Sequence, residues 1–338
     1  MFRVSLAVVL VWVMVVPVLI VRGAVFYPPT ANRALFEPAG EERFFVGTLG
    51  KPWVSGTFGC VRSGGMQLHE GVDIKALQHD RHGESTDPVI AVAEGTVVYI
   101  SDRPGLSNYG RYVVVRHHMD GLELYSLYAH LREIRRGLAV GQALKAGENI
   151  GVLGRSANTS QGISKERAHL HFELNLLVND RFSSWFKTAS PGQRNDHGSW
   201  NGQNLLGIDP VPLLRQLETG RPLNMVVHIQ QQPVLCRVMV RETSFPWLIR
   251  YAVLGRDNTA ARNEGIAGYE LALNYQGIPI AFIPRSSAEM QGKSRFSLVW
   301  VNESEQRKHP CRRLVAKRGD TWRLTAQGER LLELICHR

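Results

Sequence analysis

The chain has 338 residues, 44% of them hydrophobic and 21% charged, with a formal net charge of +10. This composition is typical of a globular rather than a disordered protein, and the length allows about two domains of ~150 residues each. Residues 221–338 hold 18 lysines and arginines against 10 acidic residues. A basic surface of this kind suggests an anionic polymer or a membrane surface as partner, through an attraction that salt screens.

The N-terminus carries a long apolar run. No charged residue interrupts Val4 to Val21, which Arg3 and Arg22 flank. This length is close to the ~20 residues that a helix needs to span a bilayer. We therefore expect residues 1–23 to be an export signal that is retained as a single-pass membrane anchor, with the body of the protein outside the cytoplasm. A cleaved signal peptide, which would make the protein secreted, is the alternative.

The cysteines carry no Cys-x-x-Cys spacing, which argues against a zinc ribbon or a redox motif. There are four of them: Cys60, Cys236, Cys311 and Cys336. Disulfides persist outside the cytoplasm, and four cysteines allow three complete pairings. One hypothesis is a Cys311–Cys336 bond that staples the C-terminal helix. Nucleic acid is not expected as a partner in such a compartment.

Residues 24–47 mix proline, glycine and charged residues without a sustained period, and they are predicted to form a linker. From about Thr48, short apolar runs alternate with turn residues, a pattern typical of β-strands. Asp120-Gly121 stands between the runs Arg111 to His117 and Leu122 to His130, and it predicts a β-hairpin.

We place the first domain at residues 48–219. The polar stretch Asn179 to Asn204 is interpreted as a long loop within it, and Pro210 to Glu218 as a short helix that closes it. The overall pattern predicts a mainly β protein, with a compact antiparallel β-sheet domain followed by a smaller α+β domain.

Residues 220–338 are predicted to form this basic C-terminal domain. Strand-like runs alternate there with polar loops, at Met225 to His228, Val234 to Val240, Tyr269 to Tyr275, Ile278 to Ile283 and Phe296 to Val301. The last predicted element is a helix over Thr325 to Ile335. The final hairpin and helix resemble a winged-helix DNA-binding domain, but no recognition helix precedes them, and we interpret the likeness as coincidental.

The stretch RAHLHFELNL (Arg167 to Leu176) alternates polar and apolar residues at the period of a strand. His169 and His171 therefore share one face with Glu173 and Asn175. A half-exposed strand with polar residues toward solvent would show the same pattern, so only further ligands elsewhere in the chain make this a site.

Two other stretches supply such groups. QLHEGVDIK places His69 and Asp73 four residues apart, a spacing that puts both side chains on one face of a strand or a helix. LYAHL places His130 at the end of the predicted hairpin. Two histidines and a carboxylate are the ligands of a catalytic zinc site with one position open for water. Further histidines nearby could accept a proton and stabilise an oxyanion.

Taken together and in this order, these stretches resemble the lysostaphin-type, LytM-like zinc metallopeptidases of cell walls. The resemblance spans Gly59 to Leu176. Five stretches carry it: HEGVD (69–73), DPVIAVAEGTVV (87–98), LYAHL (127–131), VGQALKAGENIGVLG (140–154) and HLHFE (169–173).

The resemblance implies that His69, Asp73 and His171 bind one zinc ion and that His130 and His169 are the catalytic pair. It implies a zinc endopeptidase that hydrolyses the peptide cross-links of peptidoglycan. All five positions are intact, which argues for activity. Two alternatives remain open: a non-catalytic wall-binding regulator or activator of another wall hydrolase, and a peptidase of proteins or bacteriocin-like targets.

The resemblance also bears on location and partners. A membrane anchor without wall-sorting motifs fits a Gram-negative envelope, with the protein held at the inner membrane, its catalytic domain in the periplasm and D-alanyl-diaminopimelate bonds as substrate. The basic segment Arg307 to Arg323 is either a docking surface for anionic envelope polymer or membrane, or a solvated face.

Three segments depart from the family pattern and are expected to flank the groove and select the peptide: residues 74–86, 155–168 and 179–204. Glu173 is either a group that holds a ligand imidazole or a solvent-facing glutamate. The other eight histidines are interpreted as surface or loop residues: His79, His82, His117, His118, His197, His228, His309 and His337.

Overall fold

The computed structural model describes residues 26–159, 162–290 and 292–338. Antiparallel sheets dominate it, which confirms the predicted mainly β class. The strands of the N-terminal part are β1 Gly59–Arg62, β2 Gln67–His69, β3 Val72–Lys75, β4 Pro88–Ile90, β5 Gly95–Ser101, β6 Tyr112–Met119, β7 Leu122–Ala129, β8 Glu133–Ile134, β9 Ala143–Leu144, β10 Asn149–Val152, β11 His169–Leu177 and β12 Leu205–Ile208.

The remaining strands are β13 Cys236–Val240, β14 Ile266–Leu273, β15 Pro279–Ser286, β16 Phe296–Val301, β17 Val315–Arg318 and β18 Thr321–Leu324. The α-helices are short, namely α1 Glu41–Phe44, α2 Phe182–Ala189, α3 Pro210–Glu218, α4 Met225–Gln230, α5 Pro246–Arg250, α6 Thr259–Glu264, α7 Glu303–Lys308 and α8 Ala326–Ile335.

The largest sheet has seven strands and is built around β11. Its order is β12-β11-β7-β6-β5-β9, and β3 also pairs with β11. Strand β7 pairs with one edge of β11. The other edge is shared by two strands: β3 pairs with residues 169–172 of β11, and β12 pairs with residues 174–177. All nine residues of β11 are buried. The predicted alternation is thus real, but its polar face is enclosed rather than exposed.

The predicted hairpin is formed by β6 and β7. Asp120 and Gly121 connect the strands with φ values of 52° and 78°. A two-residue turn of this kind requires positive φ at both positions, and the Asp-Gly pair tolerates that conformation well. The hairpin ends directly before His130, so this turn sets the register of a predicted site residue.

His117 was predicted to be a surface or loop residue, but it lies on β6 and its side chain is enclosed within the domain. It is 1% exposed, with Nδ1 2.7 Å from the Glu94 carbonyl oxygen and Nε2 2.7 Å from Ser126 Oγ. Burial lowers the pKa of His117 to about 4. The folded protein therefore holds this imidazole neutral at mildly acidic pH.

We expect His117 to lower the free energy of unfolding by about 2 kcal/mol between pH 7 and pH 5. The unfolded chain takes up a proton near the ordinary histidine pKa of 6.5, whereas the folded chain does so only near pH 4, so stability is lost as pH falls. Urea unfolding of the wild type and His117→Gln at both pH values measures this. An equal loss of stability in the two proteins would contradict the expectation.

The C-terminal part contains a four-stranded sheet of order β15-β14-β13-β16 and the hairpin of β17 and β18. Helix α8 matches the predicted terminal helix and buries Leu331, Leu332 and Ile335. Buried residues on both sides of position 219 belong to one continuous apolar cluster. The boundary between residues 48–219 and 220–338 stays a prediction, since the two parts share a core.

Residues 26–47, which the composition suggests as a linker, pack onto the first domain. Phe26, Leu35 and Phe44 are at most 6% exposed. Asn32 holds the segment through its amide nitrogen, which donates to the carbonyl oxygens of Arg43 and Lys75. This part of the chain therefore adds to the core instead of forming a free tether.

Two expectations about single elements are wrong. Met225 to His228 was predicted to be a strand, but it lies in helix α4. Asn224, directly before the helix, caps it, because the Asn224 side chain accepts a hydrogen bond from the Val227 amide. The loop predicted at Asn179 to Asn204 contains α2, which buries Phe182, Trp185 and Phe186. Their i, i+3, i+4 spacing makes one apolar helical face.

The cysteine hypothesis is also wrong. Cys60 of β1 is bonded to Cys311, while Cys236 and Cys336 are buried free thiols. The loop that follows α7 lies against β1, so Cys311 meets Cys60 rather than Cys336. This disulfide ties the C-terminal part to the strand next to His69.

The predicted localisation requires a correction. Across residues 26–159, 162–290 and 292–338, no helix is long and apolar enough to cross a bilayer. The run Val4 to Val21, on which the predicted anchor depends, lies outside the described residues. Inner-membrane anchoring with a periplasmic catalytic domain is therefore not supported, and the membrane as a partner is not supported either.

Candidate metal centre

Three strands bring the predicted metal ligands together. In the β3–β11 register His171 lies directly opposite Asp73, and His69 ends β2 opposite Gly59 of β1. Gly71, between β2 and β3, permits this approach, since a Cβ there would lie 2.3 Å from the Phe172 carbonyl oxygen. The glycine of the HEGVD stretch is thus required by close packing on β11.

The three ligand atoms form a compact triangle. Asp73 Oδ1 lies 2.9 Å from His171 Nδ1 and 3.2 Å from His69 Nε2, and the two nitrogens are 3.1 Å apart. All three side chains are buried, and together they could hold a metal ion. Tetrahedral zinc with ligands at about 2.0–2.1 Å separates ligand atoms by about 3.3 Å, close to the observed spacing.

Hydrogen bonds fix the orientation of both ligand imidazoles. His69 Nδ1 lies 2.7 Å from the Thr57 carbonyl oxygen, and His171 Nε2 lies 2.8 Å from Glu173 Oε1. Each outer nitrogen can therefore donate its proton to an oxygen, and the inner nitrogen faces the triangle, where a metal ion can replace its proton. An oxygen acceptor on the outer nitrogen is the usual arrangement around metal-bound histidine.

The electrostatics of the triangle favour a cation. Burial lowers the pKa of His171, but hydrogen bonds to Asp73 and Glu173 outweigh it and raise the pKa to about 9. Burial likewise opposes ionisation of Asp73, but His69 and His169 hold its pKa well below the usual range. Positive charge at His171 Nδ1, from a proton or a metal ion, is thus stabilised. The residues present fit zinc in donor type, spacing and charge.

His130 and His169 lie beside the triangle and face each other, with ring centroids 4.9 Å apart. His130 Nδ1 is 2.9 Å from the Ser156 carbonyl oxygen, and His169 Nδ1 is 2.6 Å from the Arg167 carbonyl oxygen. These acceptors leave Nε2 of each ring free. His169 Nε2 lies 3.6 Å from Asp73 Oδ1.

Both of these histidines are held in the neutral form by their surroundings. Burial, followed by the neighbouring His169, holds the pKa of His130 well below its usual range, and burial also lowers the pKa of His169. His130 has a φ of 60°, an uncommon conformation for a residue with a side chain. Backbone of this kind often occurs where a side chain must point into a site.

A buried polar network supports His171. Glu173 Oε2 accepts a hydrogen bond from Asn175 Nδ2, and Glu173 itself is fully buried. Of the two interpretations of Glu173, the structure favours the one in which it holds an imidazole. Tyr109 packs over the same imidazole, with ring centroids 5.9 Å apart, and burial raises its pKa well above the usual value.

Four of the five predicted site residues, Asp73, His130, His169 and His171, line one open cavity of about 1100 Å³, and the fifth, His69, joins Asp73 and His171 in the ligand triangle. Several other residues at this site were not predicted to belong to it. Arg62 forms an ion pair with Asp73 Oδ2 at 2.7 Å. His197, interpreted as a surface residue, is 7% exposed and lines the cavity, as do Cys311, Arg312 and Arg313 from the C-terminal part.

Two of the segments that depart from the family pattern, residues 155–168 and 179–204, contribute to the cavity lining, and residues 74–86 contact the first of them. Arg155 forms two hydrogen bonds to Glu84, at 2.9 and 2.8 Å, and links residues 74–86 to residues 155–168. The guanidinium beside it lowers the pKa of Glu84 to about 2. Arg194 to His197, within the third segment, line the cavity itself.

Comparison with known proteins identifies the domain. Residues 67–182 match the model of peptidase family M23. Similar solved structures include a zinc-containing peptidase from Vibrio cholerae, at 25% identity over 32% of this chain and 26% of that chain, with a TM-score of 0.23. This chain therefore spans about a quarter of that protein's length.

Two further similar structures are single catalytic domains. One is a variant of the prophage-encoded M23 protein EnpA from Enterococcus faecalis, at 25% identity over 39% of this chain and 87% of that chain, with a TM-score of 0.28. The other is lysostaphin from Staphylococcus simulans, at 22% identity over 51% of this chain and 88% of that chain, with a TM-score of 0.28.

No curated protein matches the chain. The structural similarities have TM-scores below 0.5, so the assignment depends on the family match. That match begins two residues before His69, ends at the start of α2 and contains Asp73, His130, His169 and His171. Residues 67–182 of this chain therefore carry a match to peptidase family M23 that contains all five predicted site residues.

Proposed function

We propose that the protein is a zinc-dependent endopeptidase that hydrolyses peptide cross-links of peptidoglycan. One observation carries this proposal: a buried His-Asp-His ligand triangle and two neutral histidines meet at one open cavity within an M23 domain. In this proposal residues 48–219 are the catalytic domain and residues 220–338 are a basic accessory domain.

His69 Nε2, Asp73 Oδ1 and His171 Nδ1 would hold the zinc ion. Zinc bound there supplies a coordinated water with a pKa near 7 and polarises a substrate carbonyl. Thr57 and Glu173 keep the ligand imidazoles in the required tautomer through their outer nitrogens. Arg62 holds the second oxygen of Asp73, so that Oδ1 is presented to the site.

His130 and His169 would act as the general base and the general acid of the reaction. Each Nδ1–H is held by a backbone carbonyl, so each Nε2 can accept a proton from the attacking water. Once protonated, the same Nε2–H donates a hydrogen bond to the oxyanion or passes the proton to the leaving amine. Their lowered pKa values keep both rings neutral and ready at neutral pH.

The accessory domain offers a second contact with the cell wall. Lys317 and Arg318 lie on the exposed β17 strand of the basic segment, outside the cavity lining. We assign to this strand the attraction to anionic wall polymer. Arg312 and Arg313 belong to the same segment but border the cavity, so their role is separate.

The test is digestion of purified, cross-linked peptidoglycan by the full chain, with zinc measured by atomic absorption. We expect about one zinc per chain and conversion of cross-linked dimers to monomers, with one water added per bond. A chelator should stop the reaction and added zinc should restore it. Mass spectrometry of the products identifies the bond.

Two results would overturn the proposal. If the chain holds zinc and leaves every cross-link intact while it cleaves a generic or glycine-rich peptide, its substrate lies outside peptidoglycan cross-links. If it binds no zinc and only increases the activity of another wall hydrolase, it is a regulator.

A further inference from the structure

The cavity beside the metal centre is completed by the C-terminal part of the chain. Cys311, Arg312, Arg313 and Gln327 line it together with His130, His169 and His171. These four residues lie far outside the matched M23 domain, which ends at residue 182. One wall of the cavity therefore comes from outside the matched domain.

Several contacts hold that wall in place. The Cys60–Cys311 disulfide joins it to β1, where Cys60 pairs with Leu68, the neighbour of His69. The ring of His309 stacks on Tyr275, with centroids 4.0 Å apart and planes inclined by 18°. Arg312 and Arg313 thus extend from a loop that is fixed against the site.

Arg312 is a half-buried guanidinium without a carboxylate partner. Its Nε donates to the Gln276 carbonyl oxygen at 3.2 Å, which leaves its terminal nitrogens for another ligand. Among the described residues, neither Arg312 nor Arg313 has a carboxylate within ion-pair distance. Burial lowers the pKa of Arg312, and the charge of Glu70, across the cavity lining, partly opposes this.

Two other arginines of the cavity are already paired with carboxylates, and a third, Arg167, donates to the Gly47 carbonyl oxygen beside the metal centre. Arg62 binds Asp73 and Arg194 binds Asp196. Among the described lining residues, five arginines face three acidic residues, one of which is the metal ligand Asp73. A partly desolvated cation without a counter-ion is costly, and an anionic ligand would offset that cost.

We propose that Arg312 and Arg313 form a carboxylate-binding subsite, which selects peptides that carry free carboxylates beside the bond to be cut. The planar guanidinium fork matches a carboxylate with two parallel hydrogen bonds. This inference rests on the proposed endopeptidase function and narrows its substrate to acidic cross-linked peptides. A neutral glycine bridge offers no partner to this wall.

The experiment compares two forms of one fluorescent stem peptide from peptidoglycan, with free carboxylates or with the same groups converted to carboxamides. Binding to the full chain is measured by fluorescence anisotropy, and hydrolysis is followed with the corresponding cross-linked dimers. We expect the acidic form to bind about 10-fold more tightly, as for one charge-assisted hydrogen-bonded pair. Arg312→Gln should remove this preference and leave binding of the carboxamide form unchanged.

Matched variants separate recognition from folding and from general charge. Arg313→Gln, at an exposed position, should reduce the preference without disturbing the fold. Arg312→Lys keeps the charge but not the fork, and it should retain part of the preference. Arg323→Gln removes one positive charge from β18 in the same basic segment outside the cavity, and it should bind both peptides as the wild type does.

The outcomes distinguish this inference from the proposed function. Equal binding of both peptides by the wild type, or a preference that survives both Arg312→Gln and Arg313→Gln, would overturn the carboxylate subsite even if cross-links are cut. A preference that disappears in these variants while neither dimer is hydrolysed would uphold the subsite and contradict the endopeptidase function.

Discussion

Replacing His171 with alanine should leave the full chain with less than a tenth of its zinc and without measurable cleavage of cross-linked peptidoglycan. His171 Nδ1 is one corner of a three-ligand triangle, and its removal leaves only His69 and Asp73. It also leaves the buried carboxylates of Asp73 and Glu173 without their shared partner, so some loss of stability is expected as well.

Two further variants keep this result from being confused with unfolding. Glu173→Gln retains a hydrogen-bond acceptor for His171 but removes the negative charge, and we expect zinc affinity to fall about 10- to 100-fold with the fold intact. His197→Ala alters a buried histidine of the same cavity outside the triangle, and it should keep its zinc. Titration with a chromogenic chelator gives the affinities. Full zinc occupancy in His171→Ala, or loss of zinc in His197→Ala, would show that the triangle is not the metal site.

Local patterns made part of this structure predictable. The alternation of β11, the Asp120-Gly121 turn and helix α3 all follow from short-range sequence signals, and the structure has each of them. Helix α2 was equally readable from the spacing of Phe182, Trp185 and Phe186. The polar residues on both sides of it interrupt the apolar period, so the whole segment resembles a loop.

The assembly of the site was not predictable from local signals. His69 and His171 are 102 positions apart in sequence, yet their inner nitrogens lie 3.1 Å apart. Strand alternation shows which side chains share a face, but not that β3 pairs with β11 and places Asp73 opposite His171. The family resemblance supplied this connection, because sequence spacing alone cannot choose between His169 and His171 as the ligand.

The position of the C-terminal part beside the metal centre was not predictable from the sequence. Cys60 and Cys311 are 251 positions apart, and nothing in either neighbourhood indicates the other. Their proximity depends on how the sheet of β13–β16 packs against the first domain, which is a property of the whole core. The packing of the two parts also explains why Arg312 and Arg313, from the basic segment Arg307 to Arg323, lie at the cavity wall.

His130→Ala should retain zinc and lose catalytic activity, with kcat lowered about 10²- to 10⁴-fold, the range that general acid–base groups contribute. His130 is outside the ligand triangle, and its ring lies 5.8 Å from that of His171, so its removal leaves all three ligands in place. What is lost is the Nε2 that takes and returns the proton. His169→Ala should show the same separation of metal content from turnover.

The pH dependence of kcat/KM in the wild type tests the role of His130 and His169 as bases, because a merely structural role for them predicts no particular pH dependence. Burial depresses the pKa of both His130 and His169, so both remain unprotonated below the ordinary histidine pKa of 6.5. Because a base is lost only when it is protonated, the acidic limb of kcat/KM should lie below pH 6.5, under conditions where zinc is still bound. His118→Ala, an exposed histidine on the same hairpin, should keep both the rate and the profile. Wild-type turnover by zinc-loaded His130→Ala would remove His130 from the reaction and leave His169 as the base that the geometry provides.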